Sequence, residues 1–110
     1  MKDLLKTAYD AMDERLAEDI TIIDFRGQSP FLDYFIIGTA RNYRMAKSII
    51  DNVEDKVLEE GYNVKKCYSD EGSKWLLADL GSIVCHVFYD GEREVYNLEG
   101  LWKDLPTVKM

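Results

Sequence analysis

The fold is decided by a single stretch, residues 75–88, with the sequence WLLADLGSIVCHVF. Its two apolar runs are separated by Gly81 and Ser82, a pair that favours the tight turn of a hairpin. Residues 75–80 and 83–89 are therefore predicted to form two neighbouring strands. Strands that are joined by so short a turn run antiparallel.

Before residue 62 the sequence predicts two helices and two strands. Apolar residues recur at helical spacing over residues 2–17, which indicates an amphipathic helix. A second helix is predicted to begin after the N-cap Asn42 and to end at Gly61, which suits a left-handed C-terminal residue. The apolar runs at residues 20–25 and 33–38 are predicted to be buried strands that pair antiparallel.

The remaining segments of the chain are shorter. Residues 62–68 predict a third strand, which lysines interrupt, at an edge of the sheet. Downstream, residues 94–96 predict a short strand and residues 98–102 a short helical turn. The predicted fold class is therefore α/β or α+β, a mixed sheet of roughly five strands flanked by helices, in one domain over residues 1–105. Residues 106–110 are expected to form a mobile tail.

The charge balance excludes several classes of function. The 110 residues carry 14 Lys and Arg against 21 Asp and Glu, a formal net charge of −7. This charge argues against binding to DNA and against extensive contact with RNA, because both need phosphate neutralisation, and it suits a basic protein partner. No apolar run is long enough to span a bilayer, so no membrane association is expected. With no recognisable targeting peptide, the chain is expected to be cytoplasmic, and Cys67 and Cys85 to be free thiols.

Metal binding and nucleophilic catalysis find little support in the sequence. His86 is the only histidine, whereas zinc sites need several clustered nitrogen or sulfur ligands. By the two-residue period of a strand, His86 shares one face with Val84 and Phe88, while Cys85 lies on the opposite face. This placement disfavours both a shared metal and a thiol–imidazole catalytic pair. His86 is therefore predicted to be a structural histidine of the sheet with hydrogen-bonded ring nitrogens.

One alternative function depends on the turn before the second strand. Gly27, Gln28 and Ser29, followed by Asp33, faintly resemble the glycine-serine turn that precedes metal-binding carboxylates in nucleotidyltransferases. Two-metal phosphoryl transfer needs at least two converging carboxylates, but the position two residues after Asp33 is Phe35. Because no second acid is placed to help, a simple turn is the favoured interpretation. A divergent metal-dependent nucleotidyltransferase or nucleotide-binding protein stays open as the alternative.

The carboxy-terminal third concentrates aromatic and acidic side chains. They are Trp75, Tyr89, Tyr96 and Trp102, with Asp79, Asp90, Glu92, Glu94 and Glu99. Aromatic anchors inside an acidic rim are typical of a surface that binds a basic protein. Large aromatic residues are also common in the core of a small domain, so patterning alone leaves both interpretations open.

Three segments together resemble a known family. Residues 33–39 are DYFIIGT, residues 75–88 are quoted above and residues 93–102 are REVYNLEGLW, while Arg44 opens the helix after the first segment. This set resembles the bacterial ribosomal silencing factor family, whose relatives include the plant Iojap protein. The resemblance covers residues 19–102, and its second and third segments are specific when they occur together.

The resemblance implies a function that composition cannot show. Members of the family bind the large ribosomal subunit at its fourteenth protein, on the face that meets the small subunit. They block the joining of the subunits sterically and so lower translation when nutrients are scarce. The implied protein is a translation repressor rather than an enzyme, and it needs no cofactor and no metal. Its implied fold is like that of the nucleotidyltransferase superfamily without the catalytic carboxylates.

The resemblance also implies which residues contact the ribosomal protein. Carried over by position, they are Trp75, Leu77, Asp79, Tyr96 and Glu99. We expect Trp75 and Tyr96 to be desolvated anchors and Leu77 to extend their apolar centre. Asp79 and Glu99 are expected to pair with lysine or arginine of the partner. If the same patch were self-complementary, the protein would be a homodimer, and this interpretation also stays open.

Other positions match the family without a predicted contact, or depart from it. His86 and Trp102 match the family and are interpreted as structural. Tyr68 and Ser69 stand where the family usually has Glu-Gly, so no role is predicted for the loop that follows them. Gly100 stands where the family often has a charged residue, and it is expected to loosen the last helical turn by about 1 kcal/mol relative to alanine.

Overall fold

A computed structural model describes residues 3–110 of the chain. Within this range the helices are α1 (Leu4–Glu14), α2 (Tyr43–Glu59), α3 (Glu92–Tyr96) and α4 (Leu98–Leu101), with a short 3-10 helix at Glu71–Ser73. The strands are β1 (Glu18–Asp24), β2 (Tyr34–Thr39), β3 (Lys66–Tyr68), β4 (Trp75–Asp79), β5 (Ile83–Phe88) and β6 (Thr107–Val108).

The strands form a mixed sheet in the order β3-β4-β5-β2-β1-β6. β2 and β5 are parallel, and the other neighbours pair antiparallel. The predicted fold class, the pairing of β1 with β2 and the hairpin of β4 and β5 are confirmed. The sixth strand comes from Thr107–Val108, inside the segment expected to be a tail. The domain boundary at residue 105 stays a prediction.

The two faces of the sheet are covered differently. α1 and α2 pack on one face, where they bury alternate strand residues such as Ile36, Leu76 and Cys85. The opposite face carries a smaller apolar cluster, against which residues after α3 are packed. Its members are Ile23, Phe25, Ile37 and Phe88, with Leu98 and Leu105 above them. Because successive side chains of a strand alternate, Cys85 and His86 face opposite ways, as predicted.

The ends of the two long helices follow their capping residues. The Asn42 side chain accepts a hydrogen bond from the Met45 backbone N–H at 2.9 Å, and Gly61 adopts the left-handed conformation with φ +87°. Both predictions are confirmed. α1 is shorter than the predicted helix over residues 2–17: Lys2 lies outside the described residues, and the helix ends at Glu14 because Leu16 is left-handed, with φ 65°.

We expect Leu16→Gly to stabilise the protein by about 1 kcal/mol, because a side chain in the left-handed region pays a steric cost that glycine lacks. Leu16 is 73% exposed, so little packing would be lost. Urea denaturation of the variant measures the change. Leu58→Gly is the matched control, since Leu58 is 52% exposed and lies in α2, where glycine should destabilise. A loss of stability in both variants would contradict the prediction.

The strand predicted at residues 94–96 is wrong, because these residues belong to the helix α3. Gly91 before the helix is left-handed, with φ 80°, and turns the chain away from the direction of β5. The helical turn carries Arg93 inward, where the residue is 9% exposed and its side chain is hydrogen-bonded to residues far away in the sequence. A three-residue alternation is too short a signal to outweigh these tertiary contacts.

Gly100 has a specific role in the turn between α3 and α4. Asn97 is left-handed, with φ 50°, and its Oδ1 accepts a hydrogen bond from the Gly100 backbone N–H at 3.1 Å. A Cβ on Gly100 would lie 2.2 Å from Nδ2 of Asn97. Alanine at this position would therefore displace the capping side chain, which offsets its higher helix propensity, and the expectation that glycine weakens this turn stays a prediction.

Candidate functional site

The sheet face opposite α1 and α2 is covered over only part of its width. Leu98 and Leu105 pack over the half formed by β1, β2 and part of β5. On the other half, strand register places side chains of β3, β4 and β5 on one surface. We name this surface the open face; its exposed or half-buried residues are Lys66, Tyr68, Trp75, Leu77, Asp79 and Val84, with Tyr96 of α3 beside them.

Trp75 is held in place by neighbouring rings. The centre of its ring lies 4.6 Å from that of Tyr96 and 5.1 Å from that of Phe88. Its Nε1–H donates a hydrogen bond to Nδ1 of His86 at 3.1 Å. Aromatic pairs in such contact contribute about 0.5–1.5 kcal/mol beyond their buried area. The half-buried indole is therefore ordered before any partner arrives.

His86 lies beneath the open face and is 4% exposed. Its Nδ1 accepts the bond from Trp75, but its buried Nε2 has no hydrogen-bond partner among residues 3–110. The prediction of hydrogen-bonded ring nitrogens is thus confirmed for one nitrogen and wrong for the other. Burial lowers the pKa of His86 from 6.5 to about 4, so the ring is neutral at neutral pH.

A second cluster of side chains ties α3 and α4 to the sheet, and we name it the Arg93 clasp. Nε and Nη2 of Arg93 donate to the two carboxylate oxygens of Glu99 at 2.9 Å and 3.1 Å. Nη1 donates to Oγ1 of Thr39 at 2.8 Å, and Nη2 to Oγ1 of Thr21 at 3.2 Å. The planar guanidinium suits this bidentate arrangement. The clasp fixes the helices that carry Tyr96 relative to β1 and β2.

The structure brings four of the five predicted contact residues onto the open face: Trp75, Leu77, Asp79 and Tyr96. Oδ1 of Asp79 accepts a hydrogen bond from the Gly81 backbone N–H at 2.9 Å, so this carboxylate also orders the hairpin turn. The fifth residue, Glu99, is engaged by Arg93 within the clasp, and 37% of its side chain is exposed.

Sequence reasoning missed three residues of the open face: Lys66, Tyr68 and Val84. Tyr68 lies opposite Leu77 in the sheet and is 47% exposed. Nζ of Lys66 lies 4.7 Å from the centre of the Tyr68 ring, a cation–π contact. The alternation of side chains along β3, β4 and β5, counted from Trp75, could have identified all three positions. Trp102, interpreted as structural, is 41% exposed, and the centre of its ring lies 5.1 Å from that of Phe25.

Comparison with known proteins identifies the family of this chain. The family profile described as "Ribosomal silencing factor during starvation" matches residues 1–110. The chain belongs to the ribosomal silencing factor family. The family resemblance inferred from the three sequence segments is thereby confirmed, and with it the assignment to translation regulation.

Individual relatives support the same assignment. Ribosomal silencing factor RsfS of Bacillus subtilis is 41% identical over 109 residues, which cover 99% of this chain and 92% of that protein. The chloroplastic Iojap protein of Zea mays is 26% identical over 100 residues, covering 91% of this chain and 43% of that protein. A crystal structure from Bacillus halodurans superposes with a TM-score of 0.83 at 34% identity and covers 97% of each chain.

The turn at residues 27–29, which resembles the nucleotidyltransferase turn, makes hydrogen bonds within its own segment. Oγ of Ser29 accepts hydrogen bonds from the backbone N–H groups of Phe31 and Leu32 at 3.2 Å and 3.1 Å. The backbone N–H of Asp33 donates to the Ser82 carbonyl at 2.7 Å, while the residue itself is exposed. Over residues 3–110, no three histidine, cysteine or acidic side chains are grouped so that they could hold a metal ion.

Both thiols of the chain are free, as predicted. Burial raises the pKa of Cys67 to about 11 and raises the pKa of the fully buried Cys85 further. Both groups are therefore protonated, weakly reactive thiols at neutral pH. In the part of the chain that the structure describes, no helix has both the length and the apolar composition needed to cross a membrane.

Proposed function

We propose that this protein binds the large ribosomal subunit at its fourteenth protein and thereby blocks joining with the small subunit. Translation then falls when nutrients are limiting. The observation that carries the proposal is a half-buried tryptophan, ordered by its neighbours, on an uncovered sheet face in a member of the silencing factor family. The mechanism is steric exclusion in the cytoplasm, so no catalysis, cofactor or metal enters it.

The open face has the composition of a protein-binding surface. Trp75 and Tyr96 supply large apolar area at low entropic cost, because their rings already pack against each other. Leu77 and Tyr68 continue this apolar area across β4 and β3. Asp79 adds a carboxylate at the rim, and the net charge of −7 favours encounter with a basic protein surface over contact with rRNA or DNA.

Glu99 has a role within the protein's own fold as well as the predicted contact with the partner. Its carboxylate is already paired with Arg93, whose side chain is only 10% exposed. Removing that carboxylate would leave a buried cation without its partner, so Glu99 first of all keeps α3 and Tyr96 in place. The exposed part of the same carboxylate remains available to a cation of the partner.

Trp75→Ala tests the proposal by co-sedimentation with purified large and small ribosomal subunits. We expect selective binding to the large subunit, weakened by the substitution about 30-fold or more, as is typical for a buried interface tryptophan. Leu58→Ala is the control, because Leu58 is 52% exposed but lies on α2, on the other side of the sheet. Binding to neither subunit, or unchanged binding of Trp75→Ala, would contradict the proposal. Dissociation of a dimer by Trp75→Ala would favour the homodimer interpretation instead.

Asp79→Asn tests the contribution of the Asp79 charge to binding without disturbing the hairpin turn. The asparagine Oδ1 can still accept the bond from Gly81, so the hairpin turn is preserved while the charge is lost. We expect affinity for the large subunit to fall about threefold at low salt and the loss to shrink as salt rises, since rim charges are screened. Asp55→Asn, on the exposed surface of α2, is the charge-matched control. Equal effects from both variants would show that net charge alone is responsible.

A further inference from the structure

We propose that His86 is the positioning residue of the docking surface: its Nδ1 fixes the Trp75 indole in the orientation that the partner meets. This inference rests on the proposed function, because it names what prepares the anchor of that same site. His86 is 4% exposed, so it acts through Trp75 and not by contact with the partner.

The hydrogen bond between the two rings defines the proton on the histidine. The indole Nε1–H can only donate, so Nδ1 of His86, at 3.1 Å, must be the unprotonated acceptor. In a neutral imidazole the proton is then on Nε2. The other tautomer would set two N–H groups against each other and could not hold the indole.

The neighbours of His86 fix the direction of its Nδ1 lone pair. The Phe35 ring meets the imidazole edge-on, with 4.5 Å between ring centres, and Phe88 lies parallel to it within 8° at 6.4 Å. Leu77 occupies the position directly opposite in β4. Because these rings and strands are packed, the imidazole cannot turn to follow the indole, and the indole must conform to the imidazole.

The unpartnered Nε2 distinguishes this role from a merely structural one. A buried donor that makes no hydrogen bond is a cost that a leucine or phenylalanine at this position would avoid. What an apolar side chain could not supply is the acceptor for Trp75. The position therefore gives up some stability of the sheet in return for a fixed indole on the open face.

The wild-type protein provides the first test. The nitrogen chemical shifts of His86 in 15N NMR report which ring nitrogen carries the proton, and we expect the Nε2–H tautomer. The indole N–H of Trp75 should exchange slowly with solvent, and Trp102→Phe assigns its signal because the chain contains two tryptophans. A proton on Nδ1 at neutral pH would overturn the proposal, whatever any variant does.

The second test compares two side chains of the same branching at position 86. Oδ1 of asparagine can take the place of Nδ1, whereas leucine has no acceptor. We expect His86→Leu to speed exchange of the Trp75 indole N–H and to weaken binding to the large subunit about fivefold, since the indole must then be ordered on binding. His86→Asn should restore slow exchange and most of the affinity, although both variants lose packing.

The two proposals fail in different ways. If His86→Leu is folded and leaves both indole exchange and affinity unchanged, positioning by His86 is wrong even though the docking surface stands. If His86→Asn behaves like His86→Leu, packing and not the acceptor is responsible, and positioning is again wrong. If Trp75→Ala leaves subunit binding unchanged, the proposed docking surface fails, while the tautomer and exchange results still report on the hydrogen bond itself.

Discussion

Arg93→Met is expected to lower the free energy of unfolding by about 3 kcal/mol, because it removes one partner of a buried ion pair. The substitution leaves the Glu99 carboxylate without its fork of two donors and deprives Thr39 and Thr21 of theirs. Methionine keeps much of the side-chain volume, so the loss reports the polar network rather than a cavity. The same change should loosen α3 and thereby the position of Tyr96.

Urea denaturation followed by circular dichroism measures this loss. Arg93→Lys is the matched control: it keeps the charge but cannot donate two parallel hydrogen bonds to Glu99, so it should lie between Arg93→Met and the wild type. Glu99→Gln should destabilise the protein as well, because it leaves the buried Arg93 guanidinium, whose side chain is only 10% exposed, without its counter-ion. A loss below about 1 kcal/mol for Arg93→Met would show that the clasp behaves like a surface ion pair.

The elements that the sequence predicted well are those whose signals are local. The N-cap Asn42 and the terminal Gly61 define α2, and the turn at Gly81 defines the hairpin, each within a few residues. Local signals of this kind do not predict the parallel pairing of β2 with β5 or the two-residue strand β6. Both depend on contacts between distant segments, which single-sequence patterns do not encode.

The same distinction applies to the candidate site. The two-residue period placed Trp75 and Leu77 on one face of β4, and the structure confirms that placement. The clasp was missed because Arg93 and Thr39 are separated by 54 positions in the sequence. For the same reason Glu99 was assigned to a partner's cation when the fold itself provides one. A charged residue near an aromatic patch cannot be assigned to the surface until its own chain has been searched for a counter-ion.

Acid should destabilise the wild-type protein through His86. Burial holds its pKa in the folded state at about 4, against an ordinary value of 6.5. Between these values the unfolded chain binds a proton that the folded chain does not, so the free energy of unfolding falls as pH drops. The contribution is fully present above about pH 6.5 and is lost progressively down to about pH 4, by about 3 kcal/mol in total.

The variant His86→Leu isolates this contribution, because leucine does not titrate. Other groups also make the protein less stable in acid. One of them is Asp24, because hydrogen bonds from Arg26 hold the pKa of its carboxyl below the ordinary value. These groups are common to both proteins, so the difference between the two denaturation curves cancels them. Urea unfolding at about pH 7 and about pH 4.5 should show the wild type losing roughly 2–3 kcal/mol more than the variant. Parallel losses would contradict the prediction, because they would mean that the folded protein does not hold the pKa of His86 below its ordinary value.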